Sequence, residues 1–251
     1  MKTVKVMNTI IGDGIPKICV PMVGKTSSDL KIEAEELKTC GADIIEWRVD
    51  FYEDVHSIDS VISIGKELRE ILSDMPILFT FRTKEEGGET DMPLSKYVEL
   101  NKAIIELGLF ELNDVELFIG DDYVKDLVDL AKTKEVKVVM CNHDFDATPS
   151  KNDILYRLRK MQELNADICK IAVMPKNSTD VLTLIEATND MQVEFADRPI
   201  VTMSMGSLGM VSRISGGVFG SAMTFGSAKQ ASAPGQVPVN ELKRILEVLY
   251  K

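Results

Sequence analysis

Lys170 stands where a lysine is costly. The stretch DICKIAV, residues 167–173, reads as a buried strand. An ammonium inside it is unfavourable unless it is paired or gives up its proton. An ordinary lysine, with a pKa of about 10.4, holds only about 0.04% free amine at pH 7. Burial and neighbouring cations lower a lysine pKa, and at a pKa of about 8 roughly a tenth is free amine. Arg48, Arg82 and Arg213 are the cations available for this. A lysine in that state attacks carbonyl groups and forms Schiff bases. The competing reading is a structural ion pair between Lys170 and Glu46 or Glu86.

A Schiff base needs a proton acceptor, because the iminium acidifies the neighbouring C–H. His143, in VVMCNHD, has a suitable titration range and can accept and then donate. Glu86, in TKEEGG, is placed to hold the imidazole and fix its tautomer. In EWRVD, strand alternation puts Glu46, Arg48 and Asp50 on one face and Ile45, Trp47 and Val49 on the other. Three charges on one strand face suit a wet cavity better than a dry core. Arg82 ends a further apolar run. MSMGSLGMVSR brings glycines that can offer backbone N–H groups to an anion, with Arg213 close behind.

Eight short apolar runs carry these residues: from Lys17, Asp43, Pro76, Asp114, Val136, Asp167, Pro199 and Gly217. Amphipathic segments with helical periodicity, such as SSDLKIEAEELKTC and LYRLRKMQEL, lie between them. The alternation predicts βα units around a parallel sheet, and eight units in 251 residues match a (β/α)8 TIM barrel of one domain, residues 1–251. A doubly wound open sheet would follow its first strand with a glycine-rich dinucleotide turn, and PMVGKTSSD is not one. Residues 1–16 alternate and end in a Gly-Asp-Gly turn, which predicts an N-terminal β-hairpin closing the bottom of the barrel. Active sites of such barrels lie at the C-terminal strand ends, where all the residues above are expected. Residues 227–238 are small and polar and are expected to form a lid loop at that mouth.

Composition narrows the class. A net charge of −11 argues against nucleic acid and anionic membranes as partners. No apolar run reaches the length of a membrane span, and the N-terminus lacks the pattern of a signal peptide. A cytoplasmic protein is expected. The four cysteines form no CxxC pair and read as reduced thiols. With two histidines far apart, His56 and His143, no His-based metal site is expected.

The same residues carry a family resemblance. EWRVD, FTFRTKEEGG, DVEL followed by VVMCNHD, CKIAVMP, MGSLGMVSR and SAPGQVP run in family order along the whole chain. They resemble the type I 3-dehydroquinate dehydratases, the Schiff-base enzymes of the shikimate route. The resemblance implies dehydration of 3-dehydroquinate to 3-dehydroshikimate with no cofactor. It implies Lys170 as the imine former, His143 as the general acid and base, and Glu86 as its orienting partner. It further implies Arg213 as the partner of the substrate carboxylate, helped by Ser232 and Gln236. Glu46, Arg48 and Arg82 would hold ring hydroxyls, with Phe225 packed near the ring. A homodimer is the expected assembly. Two other readings are a class I aldolase-type Schiff-base lyase and a barrel that only binds a small anion.

Overall fold

The computed structural model describes residues 3–228 and 232–250 of the chain. A hairpin comes first, β1 (Val4–Val6) antiparallel to β2 (Thr9–Ile11). The barrel strands follow: β3 (Lys17–Met22), β4 (Ile44–Arg48), β5 (Ile77–Thr80), β6 (Leu112–Glu116), β7 (Lys137–Asp144), β8 (Ile168–Val173), β9 (Ile200–Ser204) and β10 (Met223–Ser227). A short β11 (Val237–Pro238) pairs in parallel outside β10. The connecting helices are α1 (Ser27–Leu37), α2 (Ile58–Ile71), α3 (Leu94–Leu107), α4 (Asp121–Thr133), α5 (Lys151–Glu163), α6 (Ser178–Asp190) and α7 (Met210–Ser215), and α8 (Val239–Leu249) follows β11.

The sheet runs β11-β10-β3-β4-β5-β6-β7-β8-β9 with every pair parallel. It closes on itself where Ser221 bridges Ile200 and the Ala222 N–H donates to the Ile200 carbonyl at 2.8 Å. The predicted (β/α)8 barrel is therefore the fold. None of the described helices is long and apolar enough to cross a membrane.

Side chains alternate across each strand, and this sorts the core into two bodies. Outward-facing residues such as Ile45, Trp47, Phe79, Val115, Met140 and Ile171 pack under the helices. Trp47 is fully buried there, edge-on to Phe79 and Phe110. The inward positions form the barrel interior. Its floor is apolar: Ile44, Leu78, Leu112, Val139, Ile168 and Val201, with Val4, Val6 and Ile11 of the hairpin in the same cluster. The hairpin thus seals the bottom, as its alternation predicts. Two residues further along β4 to β8 the interior turns polar, with Glu46, Thr80, Asp114, Cys141 and Lys170, while Met203 of β9 and Phe225 of β10 stay apolar; above them lie Arg48, Arg82, Glu116 and His143. The period of two delivers these groups into the barrel mouth without disturbing the outer core.

Two elements differ from the sequence reading. The last barrel strand is Met223–Ser227, not the run from Gly217, because Gly216–Phe219 forms a 3-10 turn. Gly217 packs against Pro16 and Tyr250 so closely that a Cβ would come within 2.2 Å of the Pro16 ring. The fourth barrel strand starts at Leu112 and ends at Glu116, earlier than the run from Asp114, so Leu117 and Phe118 lie beyond it.

Candidate active site

Glu46, Arg48, Arg82, Glu86, His143, Lys170, Arg213, Phe225, Ser232 and Gln236, the ten residues expected from sequence, all line one pocket at the C-terminal strand ends. Gly87, Phe145, Ala172, Met203, Met205 and Ala233 complete its wall.

Lys170 rises from the middle of β8 and is 4% exposed. Its Nζ lies 3.8 Å from Asp114 Oδ2, 3.9 Å from Glu46 Oε1 and 4.5 Å from the centre of the Phe225 ring. Neither carboxylate is at hydrogen-bond distance. Glu46 is held by the Thr80 hydroxyl, which donates to Oε1 at 3.0 Å. The ion-pair reading of the sequence named Glu46 or Glu86; the structure brings Glu46 and Asp114 instead. Two of the three cations invoked beside Lys170, Arg48 and Arg82, are themselves compensated. Arg48 makes a two-pronged pair with Asp50, Nε to Oδ1 at 2.8 Å and Nη2 to Oδ2 at 2.7 Å. Arg82 donates to Glu116 and Asp114, each at 2.8 Å, and to the Cys141 sulfur at 3.0 Å.

His143 and Glu86 form the second cluster. Glu86 Oε2 lies 2.9 Å from His143 Nδ1 and also accepts the His143 backbone N–H at 2.9 Å. Its other oxygen accepts from the Asn142 amide at 2.9 Å. Asn142 is oriented in turn by Arg157, which donates to its Oδ1 at 2.7 Å. A carboxylate taking three donors fits an Nδ1–H imidazole, which leaves Nε2 as the free base. Burial pushes the His143 pKa well below its ordinary value, with Arg82, Lys170 and Arg48 adding to the effect. Burial, reinforced by Glu116, pushes Glu86 up to about 8 against the pull of Arg82.

The turn that aims Glu86 is tight. Gly88 donates to the Thr83 carbonyl at 2.7 Å, and a Cβ there would sit 1.9 Å from the Arg82 carbonyl oxygen. Only glycine permits that approach.

Arg213 stands apart from the other cations. It is 2% exposed, and no carboxylate of the described residues lies within 4.0 Å of it. It donates to the Pro234 carbonyl at 3.1 Å and to the Met203 sulfur at 3.4 Å, while its Nε has no partner among the described residues. Burial alone lowers its pKa to about 10. Such a guanidinium favours an anion. Of the glycines before it, Gly206 does not offer its N–H to one, contrary to the expectation from sequence. The Gly206 N–H donates to the Pro234 carbonyl at 3.1 Å, and Gly209 is packed against Ser204. Within the expected 227–238 loop, Ser227 ends β10 and Val237–Pro238 form β11. Ser232 and Gln236 bond each other, Ser232 N–H to Gln236 Oε1 at 3.0 Å and Gln236 Nε2 to Ser232 Oγ at 3.1 Å. Residues 229–231 of that loop lie outside the described residues.

Asp114, Glu116 and Asn142 are the site groups the residue-by-residue reading missed. Alternation along the fourth strand was the available signal, since it puts Leu112, Asp114 and Glu116 on one face. Glu86, Cys141 and His143 offer ligand atoms within 4.8 Å of one another. Their chemistry suits a hydrogen-bond chain better than a metal. The Cys141 thiol donates to Asp114 at 3.0 Å, and burial pushes its pKa well up, away from the thiolate that metals take.

Fold and site together define a (β/α)8 barrel enzyme with an interior lysine, a carboxylate-held histidine and an uncompensated arginine at one mouth. The sequence matches the family Type I 3-dehydroquinase over residues 18–251. It is 55% identical to a 3-dehydroquinate dehydratase of Listeria welshimeri over 251 residues, covering 100% of this chain and 99% of the relative. The crystal structure of the type I enzyme of Clostridium difficile with covalently modified comenic acid superposes with a TM-score of 0.97 at 53% identity, covering 99% of this chain and 98% of that one. A 3-dehydroquinate dehydratase from Enterococcus faecalis gives 0.93 at 44% identity, covering 99% of this chain and all of the other. The chain belongs to the type I 3-dehydroquinase family.

Proposed function

We propose that this chain converts 3-dehydroquinate to 3-dehydroshikimate through a Schiff base on Lys170. The observation that carries the reading is the pocket itself. One buried amine, one carboxylate-held imidazole and one buried guanidinium without a counter-ion among the described residues converge on one pocket. The covalently modified ligand in the similar C. difficile structure supports a pocket that bonds to what it binds.

In this reading the substrate carboxylate pairs with Arg213, which burial has left in need of an anion. Ser232 and Gln236 contribute from the loop beside it. Glu46 and Arg48 meet ring hydroxyls. Arg82 does so only through donor capacity left over from Glu116 and Asp114. Phe225 packs against the ring near the reacting carbon.

The free amine of Lys170 adds to the ketone, and the carbonyl oxygen leaves as water with one proton taken from solvent, giving an iminium; the final hydrolysis returns that proton. His143 Nε2 takes the acidified α-proton, and the electron pair moves into an enamine. The enamine expels the β-hydroxyl, which leaves as water with the proton that His143 held. Hydrolysis of the conjugated iminium returns Lys170 and releases the enone. The net change is loss of one water, and no cofactor takes part. Glu46, Asp114 and the Phe225 face suit this path, since the nitrogen they surround bears positive charge as ammonium and as iminium alike.

The 227–238 loop acts as a lid, excluding water while the imine forms. The working enzyme is a cytoplasmic homodimer. The test of the function is direct. With 3-dehydroquinate the protein should develop the ultraviolet band of a conjugated enone, and Lys170→Ala should abolish it. Cleavage into smaller carbonyl fragments would favour the aldolase-type lyase, and an unchanged substrate would favour anion binding alone.

A further inference from the structure

Asp114 is fully buried at the centre of β6, and its two oxygens are treated differently. Oδ1 is saturated, accepting Arg82 Nη2 at 2.8 Å and the Cys141 thiol at 3.0 Å. Oδ2 has no hydrogen-bond partner among the described residues and lies 3.8 Å from Lys170 Nζ. A buried carboxylate oxygen left without a donor costs free energy unless something engages it. Lys170 Nζ, the charged atom it lies near, is the nitrogen that changes its bonding in the reaction. The gap is too long for a hydrogen bond, and small enough to close when that nitrogen moves.

We propose that Asp114 is a positioning residue for the imine nitrogen: Arg82 and Cys141 anchor one oxygen so that the other is aimed at Lys170 and receives the N–H of the protonated Schiff base. The inference rests on the Schiff-base reading and extends it. Glu46, the other carboxylate near Lys170, already accepts from Thr80 and faces the pocket, so it is shared between substrate and lysine. Asp114 is not among the pocket-lining residues and acts through Lys170 alone. When the amine becomes an iminium the nitrogen keeps one N–H and its positive charge. The dedicated oxygen holds that N–H, fixes the plane of the C=N bond and thereby turns the α C–H toward His143.

The experiment compares wild type, Asp114→Asn and Cys141→Ala, each with saturating 3-dehydroquinate and borohydride, following adduct mass and steady-state kinetics. Asp114→Asn keeps the shape and an oxygen for Arg82 but replaces the aimed oxygen with a donor. It should trap adduct at Lys170 at least tenfold more slowly and lose kcat in proportion, with KM within about twofold. Cys141→Ala removes one of the two bonds that anchor Oδ1 but keeps the Arg82 bond and the charge, and should show a smaller loss of the same kind, about two- to fivefold. Wild-type trapping and kcat in Asp114→Asn, or equal losses in both variants, would overturn the inference while leaving the Schiff base standing. Absence of any adduct in wild type would overturn both. The wild-type reduced adduct gives a readout independent of variant folding. Its crystal structure should show Asp114 Oδ2 within about 3.2 Å of the substituted nitrogen, and a separation above about 4 Å would contradict the role.

Discussion

At the scale of single residues, the site works by leaving chosen charges incompletely answered. Arg48 and Arg82 are matched by carboxylates, and Arg213 is not matched by one among the described residues. The cationic charge facing a ligand is therefore concentrated at one guanidinium rather than spread over the mouth. Arg213→Ala should forfeit about 2–3 kcal/mol of charge-assisted bonding, a roughly 30- to 150-fold rise in KM. Because the carboxylate is held in ground state and transition state alike, kcat should stay nearly constant, which steady-state kinetics will check. In the proposed mechanism the His143–Glu86 pair sets the pH response. With Glu86 pushed up to about 8 and His143 pushed down, the pair holds its extra proton below about 8. A protonated Glu86 offers its O–H to Nδ1 and moves the ring hydrogen onto Nε2, where it blocks the base. The rate should thus rise with pH through about 8. Glu86→Gln should lower the plateau and move that rise to lower pH, because the imidazole alone has a depressed pKa. A limb that stays in place in Glu86→Gln would contradict this assignment.

At the scale of elements, period-two alternation did most of the work in the sequence. It placed Glu46 and Arg48 opposite Ile45 and Trp47 correctly, and it put Lys170 into the interior. It was not extended to Asp114 and Glu116, whose run was read from Asp114 rather than Leu112. The last strand was misplaced because Gly217–Phe219 is apolar and short, which looks like a strand in one dimension. Only the packing of Gly217 on Pro16 and Tyr250 marks it as a turn. The partnership of Lys170 with Asp114 could not be read locally, since it depends on β6 and β8 flanking β7 in the closed sheet. The loop carrying Glu86 gives the prediction at this scale. Gly88→Ala forces the turn away from the Arg82 carbonyl and should misplace Glu86. A tenfold or larger loss of kcat is expected, because small misplacements of catalytic groups are costly. Circular dichroism should show the barrel intact.

At the scale of the molecule, the two faces of the barrel divide the labour. The mouth holds charge and chemistry, and the floor holds stability. The (β/α)8 architecture was legible because eight alternating runs over this length admit few folds. The hairpin that seals the floor was legible from its alternation, and Ile11 is fully buried in the interior cluster beneath the polar layers. Ile11→Ala should cost about 2–5 kcal/mol of stability, read from denaturant midpoints, while KM and kcat of the folded fraction stay as in wild type. A comparable loss of activity in the folded enzyme would mean that floor and mouth are coupled.

The central claim is that Lys170 becomes an imine, and the most direct measurement is to trap it. The intact protein is treated with 3-dehydroquinate and sodium borohydride, weighed, and digested to locate the modification. One irreversible adduct per chain is expected, on Lys170, lost in Lys170→Ala and still formed in His143→Ala. No adduct while substrate is turned over to product, or an adduct on another lysine, would contradict it.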